Sequence, residues 1–91
     1  MRLSWNEEKN QKLKAQRGVS FEMVAQMMID EEYIGVIAHP NAEKYPNQQI
    51  FLFEIDGYCY AVPAVINGDE IFLKTIYPSR KITKQHKKDE K

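Results

Sequence analysis

The sequence predicts a mixed α/β domain of the α+β type: a short N-terminal strand, two helices, then a three- to four-stranded antiparallel β-meander. Three observations predict it. Asp56-Gly57 and Asn67-Gly68 each separate runs rich in β-branched and aromatic residues, and two-residue hairpin turns need the positive φ that Asn, Asp and Gly tolerate. The runs themselves, Ile50 to Ile55, Tyr58 to Ile66 and roughly Glu70 to Tyr77, have strand length. Upstream of them, apolar residues recur at helical rather than alternating spacing.

Leu3-Ser4-Trp5 is the short first strand. Asn6 is placed to cap a helix, with Glu7 and Glu8 in its first turn, where they suit the positive end of the dipole. Lys9 to Arg17 continue it and Gly18 ends it. Its apolar positions are essentially Leu13 and Ala15, so one narrow stripe should pack. Ser20 caps a second helix, in which Phe21, Val24, Ala25, Met28 and Ile29 form an apolar face. Asp30, Glu31 and Glu32 close that helix with the wrong sign for its dipole, which marks a surface suited to a basic partner or to solvent.

Tyr33 to Ala38 reads as a strand weakened by Gly35, and His39 to Gln48 as the longest loop, a place where function often resides. In the meander the first turn pairs Ile55 with Tyr58, Phe53 with Tyr60 and Phe51 with Val62. The opposite face carries Ile50, Leu52, Glu54, Cys59, Ala61 and Val65. A sheet apolar on both faces is sandwiched or offers a face to a partner. Pro63 cannot donate to a ladder, so a bulge or a local edge is expected there. The outcome decides which face Lys74 occupies.

The 91 residues make one domain with formal charge zero. Residues 1–83 are expected to fold together, and the basic residues 84–91 to be a disordered tail. The neutral total hides a distribution of +3 over residues 1–18, −8 over 19–73 and +5 over 74–91. Basic ends around an acidic middle suit a groove for a polyanion, a partner of mixed charge, or a solvated surface. A single cysteine, Cys59, excludes an internal disulfide. No metal-ligand spacing, phosphate loop or nucleophile elbow occurs, so no cofactor is expected. No run reaches transmembrane length, and the expected location is cytoplasmic.

What remains is a set of basic and aromatic residues. Lys74, Tyr77, Arg80 and Lys81 follow the last strand, while His39, Lys44 and Tyr45 lie in the long loop. A metal-independent ribonuclease needs a base for the 2′-OH, cations for the phosphorane charge and an acid for the 5′-oxygen. Histidine, shifted lysine or tyrosine, and arginine can fill those places. A solvated basic terminus accounts for the same residues without any site.

Trp5-Asn6-Glu7-Glu8-Lys9, the segment Arg17-Gly18-Val19-Ser20-Phe21-Glu22, and Ile76-Tyr77-Pro78-Ser79-Arg80-Lys81 together resemble the BrnT family of toxins. Asn6 stands where that family usually has Asp, and Arg17 where it usually has His. The resemblance implies a RelE-like fold and an endoribonuclease that arrests translation by cutting mRNA, on or off the ribosome. It also implies neutralisation by an antitoxin with a ribbon-helix-helix domain. On that reading Arg80, Lys74, Lys44, His39 and Tyr77 are the candidate catalytic residues, and Lys9, Lys81 and Tyr45 contact RNA. Two other readings stay open: a non-catalytic module of the same fold that binds a ribbon-helix-helix regulator, and a structural domain with a solvated tail.

Overall fold

The computed structural model describes residues 2–89. The chain runs β1 (Arg2–Ser4), α1 (Glu7–Arg17), α2 (Phe21–Ile29), β2 (Gly35–Ala38), β3 (Gln48–Ile55), β4 (Tyr58–Asn67), β5 (Glu70–Leu73), β6 (Tyr77–Pro78) and α3 (Arg80–Asp89). The strands form one sheet in the order β1-β5-β4-β3-β2, with β6 also on β4. β2 through β5 are the antiparallel meander, and β1 joins β5 in parallel. This is the α+β fold that the turn and periodicity signals predict.

Helix ends follow their caps. The Asn6 side chain accepts from the Lys9 amide at 2.9 Å, and Ser20 does the same for Met23 at 3.1 Å. Gly18 closes α1 at φ 68°. Leu13 from α1 joins Phe21, Val24 and Met28 from α2 against one sheet face, where they meet Phe51, Phe53, Val62, Ala64, Leu73 and Ile76. Phe21, Phe53, Val62, Leu73 and Ile76 are fully enclosed. Burial of such side chains contributes about 1.5–3 kcal/mol each. Ala15 and Ile29, expected in the packed faces, are exposed. The second strand starts at Gly35 rather than Tyr33.

The first turn has both residues at positive φ, Asp56 at 53° and Gly57 at 80°, and the three expected cross-strand pairs form. The second turn sits one residue later than expected. Asn67 pairs with Glu70, so Gly68 and Asp69 make the loop, with Gly68 alone at positive φ, 65°. Moving a turn by one residue moves the pairing by two, and every side chain keeps its face.

Two expectations at the C-terminal end are corrected. The last strand does not run unbroken to Tyr77: β5 stops at Leu73 and β6 begins at Tyr77. Between them Lys74, Thr75 and Ile76 stand opposite only Val62 and Pro63, a bulge of one residue. The ladder to β3 is continuous through Pro63, which pairs with Ile50. The Pro63 carbonyl accepts from the Lys74 amide at 2.9 Å, so its ring nitrogen faces the same side. With no N–H to return, the Lys74 carbonyl finds no ladder donor there and the strand departs. Secondly, residues 84–89 are not a disordered tail but part of α3, while residues 90 and 91 lie outside the described residues. α1 and α2 share one sheet face, while α3 lies against β4 on the opposite face. That face holds Leu52, Cys59 and Ala61, all buried.

Candidate nucleic-acid interface

Polar contacts, with half-buried Ile82 beside them, hold α3 to the sheet. Ser79 caps it: its hydroxyl accepts from the Ile82 amide at 3.2 Å and its carbonyl accepts from the Thr83 amide and hydroxyl. The Thr83 hydroxyl in turn accepts from the Cys59 amide at 2.9 Å. One turn on, His86 Nε2 lies 3.4 Å from Glu54 Oε1. Ile82, Thr83 and His86 therefore face the sheet. Arg80, Lys81, Lys84, Lys87 and Lys88 are all exposed, and among the described residues none has a carboxylate at ion-pair distance.

This charge pattern works against the helix. Arg80 and Lys81 sit at its positive end, where acids are favoured. Arg80 with Lys84 and Lys84 with Lys88 are like-charge pairs at i,i+4, each costing about 0.2–0.5 kcal/mol. A polyanion laid along the helix would relieve all of these repulsions. Tyr77 pairs with Ala61 and so stands on the α3 face, 38% exposed. Of the sequence candidates, β6 and the start of α3 thus bring together Tyr77, Arg80 and Lys81. Lys74 is exposed in the bulge, three residues upstream.

His39, Lys44 and Tyr45 form a separate cluster. The His39 and Tyr45 rings are 4.6 Å apart, the Lys44 ammonium is 5.5 Å from the Tyr45 ring centre, and His39 Nδ1 accepts from the Asn41 amide at 3.0 Å. Their loop is tied to the far end of β4 by the bond from the Ile66 amide to the Asn47 carbonyl. α3 begins at the other end, where the Ser79 amide donates to the Cys59 carbonyl. Seven residues of strand separate Cys59 from Ile66, about 23 Å at roughly 3.3 Å per residue. A single site holding His39, Lys44 and Arg80 is therefore not assembled.

Lys9 lies on the other side of the sheet. With Lys12, Gln16 and Arg17 of α1 and Thr75 of the bulge it lines an open groove of about 480 Å³. Arg17 donates to the Ile76 carbonyl, and Lys12 pairs with Glu8 at 3.9 Å.

Residues of the first two resemblance segments, with Asn10 between them, act mainly as a clamp. Asn10 is fully buried where α1 meets α2. Its carbonyl oxygen accepts from the Phe21 amide at 2.8 Å, and its NH₂ donates to Glu22 at 2.8 Å and to Glu7 at 3.3 Å. Trp5 stacks on Phe21 with centroids 5.8 Å apart. Hydrogen bonds from Gln11, Trp5 and Asn10 hold the Glu7 carboxyl below its ordinary range, and Asn10 with a backbone N–H does so for Glu22.

Reading the sequence missed Glu54 with His86, and the lysines beyond Lys81. The pairing of β3 with β4 could not reveal a carboxylate beside His86, because only the return of α3 creates it. The stripe Lys81, Lys84, Lys88 was open to discovery by its helical spacing. Among the described residues, no group of three or more His, Cys, Asp or Glu could hold a metal, and no helix is long and apolar enough to cross a membrane. No family model, curated protein or solved structure matches the chain.

Proposed function

We propose that this chain is an RNA-binding protein of the BrnT/RelE-like toxin type, an endoribonuclease of the cytoplasm restrained by a ribbon-helix-helix antitoxin. The observation that supports it is the stripe of five exposed cations on α3, beside Tyr77. Of these, Arg80 and Lys81 oppose the helix dipole, and Arg80, Lys84 and Lys88 repel one another. Single-stranded RNA would run along α3. Arg80 offers a bidentate grip on a phosphate and stabilises charge developing there. Tyr77 stacks on a base or gives up its proton. The imidazole on the same helix as Arg80 is His86, oriented by Glu54 and about 9 Å along the axis at 1.5 Å per residue, which makes it the candidate for proton transfer in place of His39.

A second reading, a non-catalytic module that binds the same kind of regulator, gains support from the separation of the His39 cluster from Arg80. One experiment divides the two. Expression of the chain should arrest growth, with relief by Arg80→Ala and by His86→Gln, and purified protein should cut single-stranded RNA. RNA binding without cleavage, at a salt dependence unchanged by His86→Gln, favours the module. For five phosphates neutralised, the slope of log affinity against log salt should be about −3.5. A slope near zero removes the RNA reading, and capture of a ribbon-helix-helix protein by a chain that cuts no RNA favours the module.

A further inference from the structure

The acidic segment Asp30-Glu31-Glu32 plays no part in the RNA reading, and it adjoins an open sheet edge. β2 ends the strand order, so its outer side has no neighbouring strand among the described residues. Natural edges are commonly blunted by brevity, charge or proline; Gly35-Val36-Ile37-Ala38 is short but carries neither charge nor proline. Around it Ile29, Tyr33, Ile34, Val36 and Ile37 are exposed within nine residues, Ile29 by 59%. Tyr33 meets Phe51 and Phe53 edge-on, at 5.6 and 6.5 Å, yet remains open on its outer side.

The acids are fixed at the head of this edge. The Asp30, Glu31 and Glu32 amides bond back to the Gln26, Met28 and Met27 carbonyls, and Glu31 holds φ 54°. They sit at the negative end of α2, where the dipole disfavours them. Gln26 donates to Asp30 at 3.2 Å, and no cation pairs with any of the three among the described residues. Open backbone, apolar side chains and uncompensated negative charge thus occur side by side.

We propose that the outer edge of β2 receives an extended segment of a partner protein by antiparallel strand addition. That segment is apolar at alternate positions and basic at its C-terminal end. Antiparallel pairing continues the meander and brings the C-terminal end of the added strand beside Asp30, Glu31 and Glu32. Backbone hydrogen bonds give affinity, and the alternate side chains meet Val36 on one face and Ile37 on the other. The proposal does not depend on RNA binding by α3, which lies across the sheet.

The probe is a nine-residue peptide with valine at alternate positions and two C-terminal arginines, titrated into the full chain and followed by amide NMR and hydrogen exchange. The amides of residues 35–38 should shift and gain protection. Glu31→Lys with Glu32→Lys should weaken binding at least tenfold while leaving RNA affinity unchanged and the thermal midpoint no lower. Three results would overturn it: equal binding by a peptide with two glutamates in place of the arginines, shifts that leave residues 35–38 unmoved, or amides 35–38 already protected in a dimer of the chain.

Discussion

Asn10 and Thr83 fasten two helices by the same device and with opposite support. Each is buried, and each uses a side-chain oxygen to satisfy a backbone amide on a different element: Phe21 for Asn10, Cys59 for Thr83. Around Asn10 everything agrees. Trp5 stacks on Phe21, Leu13 and Val24 fill the core, and Glu7 and Glu22 are acids at helix starts. Around Thr83 the only apolar help on the helix is half-buried Ile82, and the charges repel one another. One polar pin stabilises a corner that would hold in any case; the other holds a helix that its own surface opposes. The α1–α2 corner is therefore structural, and α3 is the element whose stability a ligand can change.

Phe21→Ala tests the corner hardest. It empties a fully buried site and should cost about 3–5 kcal/mol, read as the urea midpoint. A loss below 1 kcal/mol would mean that the corner is not the stable half. Asn10→Ala strands the Phe21 amide and should cost about 1–3 kcal/mol in the same global transition. Thr83→Val leaves the Cys59 amide unsatisfied by a similar group, but its effect should be local. Hydrogen exchange at Cys59 and across α3 should quicken by roughly tenfold, for about 1.4 kcal/mol, before the global midpoint moves. If both unfold together, the contrast between the regions fails. Lys84→Glu should raise α3 helicity by a few tenths of a kcal/mol through new pairs with Arg80 and Lys88, while weakening RNA binding. A gain in both would separate the stripe from RNA.

The mildest test is pH. Glu7 and Glu22 have folded-state pKa values below their ordinary 4.5. Their contribution is complete above that value and fades as pH falls through the folded values. The thermal midpoint should drop on acidification below about pH 4.5, and Asn10→Ala should flatten that drop, since Asn10 is the largest cause for Glu22.

The same contrast explains what could be read from the chain. Asn6, Gly18, Ser20 and Asp56-Gly57 act through neighbours in sequence, and each does what its local chemistry dictates. The C-terminal elements depend on distant partners. Thr83 faces the sheet through hydrogen bonds and His86 through its contact with Glu54, which hydrophobic periodicity cannot register, so the half of α3 beyond Thr83 looked like a tail. Tyr77, Arg80 and Lys81 were legible as a group because they lie within five residues. Joining them to His39 and Lys44 needed the direction of the loop along β4, which composition does not contain. Leu73 and Ile76 did hold a clue, since two core residues three apart cannot share a face of a regular strand.

The bulge at Lys74–Ile76 corrects the phase of the chain. Laid out regularly from Leu73, these residues would turn Ile76 toward α3 and drive Tyr77 into the core. By absorbing one residue beside Pro63, the strand returns Ile76 to the core and starts α3 on the open side. Deleting Thr75 would leave both faces intact and merge β5 with β6, whereas deleting Phe72 within β5 would throw the sequence after it out of step. Between β5 and α3, length tolerance is thus concentrated at a single point, set by the one residue of β4 that lacks an amide hydrogen.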